Sequence, residues 1–197
     1  MQARKLSTDT PLVHMGNLTL GDFWSWAYSD LLSNGNRSVF AEFMVGAVLG
    51  VIATPRREWD AVDLRYGDKT IEVKASAYTQ SWEPVAHPSP IRFDIGKKLP
   101  WDAQTNQTGV TRRRSADCYV FCLHNEQDRE QALLRMLDAT SWIFYVVATG
   151  RLERQFGDQK SVSLTALARL CEPVSYARLK AAVDSALSGT AGGSATP

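Results

Sequence analysis

Two neighbouring segments, "WDAVDL" and "IEVKAS", hold the side chains best equipped for chemistry: Asp60, Asp63, Glu72 and Lys74. Carboxylates offer the hard oxygen ligands that Mg²⁺ takes while keeping several waters. Such an ion acidifies a bound water and neutralises charge on a phosphate. A lysine beside that water stabilises the negative charge that develops during attack. The set therefore points to metal-assisted hydrolysis of a phosphodiester. The plainer reading is a water-facing hairpin with a salt-bridged lysine.

For this chemistry the groups must share a face. Strand patterns run over "EWDAVDLRY" and "KTIEVKASA", with Gly67-Asp68 as a Gly-first two-residue turn between them. Residues two apart share a face, so Glu72 and Lys74 lie together, opposite Ile71 and Val73. A two-residue loop puts Asp63 across from Glu72 and Ala61 across from Lys74. Leu64 then joins Ile71 and Val73 on the far side. Two carboxylates facing each other repel, which calls for a positive group between them. A bulge would bring Asp60 onto that face in place of Asp63.

The elements that must position this hairpin read in order. Helical spacing covers "LGDFWSWAYSDLLS", stopped by "SNGN". A second helix covers "RSVFAEFMVGAVLG", with Ser38 as N-cap and Gly50 as stop. Glu42 is the one charge between Val39 and Ala53, and a carboxylate in so apolar a helix needs a partner. After the hairpin, Gln80–Ser115 shows little periodicity. Then follow a strand in "CYVFCLH", a short helix in "QDREQALLRML", a strand in "WIFYVVAT" and two helices within 163–187. The aromatic groups "FWSW" and "WIFYVV" both read as core. The expected fold is a single α/β domain over 1–187, a central mixed β-sheet flanked by helices, with a disordered small-residue tail at 188–197.

At this point the residues resemble the PD-(D/E)xK nuclease superfamily, the restriction-endonuclease-like fold. The matching stretches are "NRSVFAEFMVG", "WDAVDL" and "IEVKASAYTQSW", over about residues 36–149. The leading proline is absent, since Val62 precedes Asp63. The resemblance implies an αβββαβ core and a Mg²⁺-dependent endonuclease acting on DNA, with Mn²⁺ able to substitute. It implies that Asp63, Glu72 and the carbonyl of Val73 hold the metal, that Lys74 attends the attacking water, and that Glu42 completes the catalytic set from the helix. Gln80 would touch the metal-bound water or the nucleic-acid backbone. A restriction-type or phage-defence role follows by analogy, as a homodimer or as a subunit of a larger complex. The rival readings are a catalytically silent nucleic-acid- or protein-binding module of the same fold, and a nuclease for RNA or DNA junctions.

The chain of 197 residues carries a net charge of only +1, so no overall basicity advertises a polyanionic partner. Locally, Arg92, Lys97, Lys98, Arg112, Arg113 and Arg114 face only Asp94 and Asp102 between Arg92 and Arg114. With Trp101, Gln104, Asn106 and Gln107 among them, Lys97, Lys98, Arg112, Arg113 and Arg114 are the candidate nucleic-acid contacts. His14, His87 and His124 stand too far apart for a histidine-metal motif, and no Gly-rich phosphate cradle is present. Cys118 and Cys122 read as small hydrophobes in an apolar strand. The opening segment lacks a signal-peptide hydrophobic block and no apolar run suits a membrane span, so a cytoplasmic home is expected.

Overall fold

The ladder that matters most begins at the turn the sequence marks. Gly67 has φ +62°, where glycine costs nothing, and Tyr66 pairs with Lys69 across it. A computed structural model describes residues 4–58, 60–82, 90–102 and 107–189. Its elements in chain order are α1 (Leu20–Tyr28), α2 (Asn34–Leu49), β1 (Leu64–Tyr66), β2 (Lys69–Ala77), β3 (Arg92–Asp94), β4 (Trp101–Asp102), β5 (Gln107–Thr108), β6 (Cys118–His124), α3 (Arg129–Met136), β7 (Trp142–Ala148), α4 (Thr149–Phe156), β8 (Ser161–Ser163), α5 (Leu164–Leu170) and α6 (Tyr176–Ser188). They build one α/β domain around a mixed sheet of order β1-β2-β6-β7. β2 runs parallel to β6, and the outer pairs are antiparallel.

Central strand β6 is buried along its whole length, as a strand covered on both faces must be. Its even-numbered residues, Cys118, Val120 and Cys122, pack with Ile71 and Val73 against Ala41, Met44 and Val45 of α2 and against Leu179 and Val183 of α6. Its odd-numbered residues, Tyr119, Phe121 and Leu123, join Phe93, Leu152, Val162 and Leu167 in a second core. Asp117 locks the start of the parallel pair by accepting from Thr70 N and Thr70 Oγ1, both at 2.8 Å.

Helix boundaries differ from the sequence reading at their caps. α2 starts at Asn34 because Ser33, not Ser38, caps it by accepting from Asn36 N. It stops at Gly50, whose φ is +73°. α1 ends at Tyr28, because Asp30 Oδ1 accepts from Leu32 N and Ser33 N and turns the chain instead. The stretch read as aperiodic contains β3, which pairs with β8, and the small β4–β5 ribbon. α4 is a helix that the periodicity did not signal. Gln104 and Asn106, His87 and most of the expected tail lie outside the described residues. Among the described residues no helix is long and apolar enough to cross a membrane.

Candidate functional site

β1 is shorter than its pattern. It covers three residues, and Asp60–Asp63 approach it as bends. The ladder ends at Leu64↔Ile71. In an uninterrupted antiparallel ladder the N–H of Val73 would donate to the carbonyl of Val62. Here it donates to Asp63 Oδ2 at 2.7 Å. Asp63 therefore acts as a side-chain terminus for the sheet edge, and its carboxylate is fastened to the backbone.

The parity argument holds on β2. Glu72 registers with Tyr119 and Lys74 with Phe121, on the face opposite Ile71 and Val73. Lys74 Nζ donates to Glu72 Oε1 at 2.5 Å, and their side chains are 18% and 13% exposed. Burial, with repulsion from Asp63, holds the Glu72 carboxyl above its usual range, opposed by Lys74. Burial also opposes the charge on Lys74, yet Glu72 and Asp63 outweigh it and raise the ammonium pKa. Lys74 is thus a committed cation, paired with Glu72 and favoured further by the charge of Asp63.

Glu42 is buried at 7% exposure, and its partner is one the sequence reading missed. Arg56 grips both carboxylate oxygens, with Nη2 at 2.8 Å from Oε1. Burial raises the Glu42 carboxyl, against the opposing bond from Arg56. The signal was present in "TPRREW", a basic pair just after the helix that bears the lone acid. Asp60, the second choice for the metal, accepts from Ala61 N and pairs with Arg65.

These partners correct the metal reading. Among the described residues no group of three or more His, Cys, Asp or Glu side chains is arranged to hold a metal ion. Asp63, Glu72 and the Val73 carbonyl do not make the Mg²⁺ or Mn²⁺ centre that the resemblance implied. A Mg²⁺-dependent endonuclease using Asp63, Glu72, Lys74 and Glu42 is overturned with it. The physical reason is that each acid is already engaged: Asp63 with an amide, Glu72 with Lys74, and Glu42 with Arg56.

The candidate nucleic-acid contacts divide. Arg114 is 6% exposed; it donates to the carbonyls of Ile95, Gly157 and Gln159 and pairs with Glu153. Lys97 pairs with Glu153 and Asp158, while Arg112 reaches the Lys97 carbonyl at 3.5 Å. Gln80 donates to the Ala77 carbonyl at the end of β2. Lys98 and Arg113 behave differently. Their backbones exchange two hydrogen bonds of 3.0 Å each, so their side chains project side by side. Both line a pocket of about 200 Å³ together with Asp63, Glu72, Lys74, Trp101 and Tyr119. Among the described residues, the ion pair of Lys98 is an exposed one with Asp94 at 3.3 Å, an interaction easily exchanged for a phosphate. Arg113 has no carboxylate partner among the described residues.

The expectation that "FWSW" belongs to the core also fails. Phe23 is 44% and Trp26 83% exposed, whereas Trp142 and Phe144 of "WIFYVV" are buried. Against known proteins, the chain matches no family model, no curated protein and no solved structure.

Proposed function

We propose that the chain is a catalytically silent nucleic-acid-binding module on a restriction-endonuclease-like core. The observation that carries the reading is the backbone bridge that sets Lys98 beside Arg113 at the mouth of one pocket. Two adjacent cations neutralise more of a phosphate chain, and release more counterions, than a single one. Trp101 in the same wall offers a ring face for a base. With β3–β5 set aside as an insertion outside the main sheet, the order α2, β1, β2, β6, α3, β7 supports the core assignment. Asp63, Glu72 and Lys74 then serve the sheet edge and the lining of the pocket.

Fluorescence anisotropy with labelled single-stranded and duplex DNA, in EDTA, tests this. Lys98→Glu with Arg113→Glu is expected to weaken binding by about tenfold or more and to flatten its salt dependence by about one unit of slope per lost phosphate contact. Unchanged affinity in a double variant that melts like wild type would overturn the reading. An RNA probe of matched sequence ranks the two nucleic acids.

A second reading, protein binding, is favoured by α1. This helix of nine residues buries none of them, and so short a helix seldom persists in water without packing. Phe23 and Trp26, three residues apart on one face with ring centroids 6.4 Å apart, leave an apolar patch of the kind that marks an interface, and a second copy of the chain is the occupant in this reading. Sedimentation over a concentration series checks it: association of the wild type should be lost in Trp26→Ser, and a monomer at every concentration removes this reading.

A further inference from the structure

The charges that line the pocket of about 200 Å³ are sorted by exposure. Lys98 and Arg113 are exposed, whereas the Glu72 and Lys74 side chains are only 13% and 18% exposed. On this inner side Asp63 and Glu72 outnumber Lys74, because Asp60 is paired with Arg65. Each of the two acids also keeps an oxygen in reserve. The Val73 amide takes Asp63 Oδ2, and Lys74 takes Glu72 Oε1. Asp63 Oδ1 and Glu72 Oε2 have no hydrogen-bond partner among the described residues. Tyr119 is the third inner group. It registers with Glu72 across the sheet and is 3% exposed, yet its hydroxyl has no hydrogen-bond partner among the described residues. A phenol so buried usually finds one.

The inner wall therefore offers spare acceptors and a spare hydroxyl donor, while Trp101 offers a ring face and the mouth offers cations. The space is below the ~300 Å³ of a drug-sized site and suits one planar ring system. We propose that the pocket takes a single unpaired guanine base of a bound DNA strand, an inference that rests on the nucleic-acid-binding reading above. The Watson–Crick edge of guanine carries two adjacent N–H donors beside a carbonyl oxygen, and an unpaired base presents that edge to side chains. The donors meet the spare oxygens of Asp63 and Glu72, and the carbonyl accepts from the Tyr119 hydroxyl. The ring stacks on Trp101, and the flanking phosphates lie on Lys98 and Arg113. Thymine presents one N–H between two carbonyls, which would face the same acids without a partner. Adenine and cytosine present one amino donor beside a ring-nitrogen acceptor. In a duplex the edge is hidden by pairing.

The test is fluorescence anisotropy of the full chain in EDTA with labelled oligothymidine strands that differ at one central position. A guanine there should bind about tenfold tighter than thymine, roughly the worth of one well-read base. Inosine, which lacks the amino group, should fall between them. Asp63→Asn keeps an oxygen for the Val73 amide but turns an NH₂ toward the base, and Tyr119→Phe removes only the hydroxyl. Each should cut the guanine preference at least threefold, whereas Lys98→Glu should weaken both strands and keep the preference; melts verify that all three variants fold. Free dGMP should displace the strand only at far higher concentration than the strand itself requires. Equal affinity for guanine and thymine strands, or a preference unchanged in both Asp63→Asn and Tyr119→Phe, would overturn the proposal and leave DNA binding standing. Displacement by dGMP as readily as by the strand would assign the site to free nucleotides instead. Binding of no strand at all would remove the nucleic-acid reading and this proposal with it.

Discussion

Lys74 and Glu72 show what one ion pair means when nearly all of it is out of water. Removing one partner of such a pair leaves a buried charge, which costs far more than an exposed bridge returns. Lys74→Ala is expected to lower stability by about 3 kcal/mol in urea denaturation. Glu72→Leu combined with Lys74→Met should recover most of that loss, because no charge is left stranded. Equal losses in the single and double variants would contradict this. Arg113 in the pocket lining and its neighbour Arg114, buried away from it, make a similar contrast. Arg114→Ala should lower the melting temperature strongly, since three carbonyls and Glu153 lose their donor. Arg113→Ala should leave the melt unchanged and weaken DNA binding. The run "RRR" was legible as a basic cluster, but not which member turns inward. That choice depends on carbonyls of Gly157 and Gln159, more than forty positions away in the chain.

At the level of elements, the hairpin was the most legible part. Gly67-Asp68 set the turn, and alternation correctly placed Glu72 and Lys74 opposite Ile71 and Val73. What alternation did not reveal was the early end of β1, because Asp63 replaces a backbone acceptor with its own carboxylate. Glu42 was legible as an acid needing a partner; the partner was not, since Arg56 lies beyond the helix stop. The junction of β6 and β7 carries a consequence for pH. His124 is fully buried against Trp142, with ring centroids 5.2 Å apart. Burial lowers its pKa below the ordinary 6.5. A lowered folded pKa means that its stabilising contribution is fully present above about 6.5 and is lost as pH falls through the folded value. His124→Phe should therefore flatten the loss of stability between neutral pH and pH 5, and raise stability at the acid end by about 1 kcal/mol. Thermal melts across that range read it directly; parallel curves for the two proteins would refute it.

Across the whole molecule, the mixed sheet and its two helical layers were legible because long apolar strands such as "CYVFCLH" admit few other places. The function was less so. A correct spacing of Asp63, Glu72 and Lys74 specified a shared face, but spacing does not say whether an acid is free or already engaged. Arg56 and the Val73 amide decide that, and both belong to tertiary structure. The patch on α1 was misread for a related reason: helical periodicity signals an apolar stripe, not what covers it.

The central claim is that this chain binds nucleic acid and leaves it intact. The most direct measurement is a native gel of end-labelled DNA incubated with the protein in Mg²⁺, followed by a denaturing gel of the same samples. A retarded complex whose DNA is full length is expected, with retardation reduced in Lys98→Glu/Arg113→Glu. Shortened fragments that disappear in Lys74→Ala would contradict it, and so would the absence of any complex.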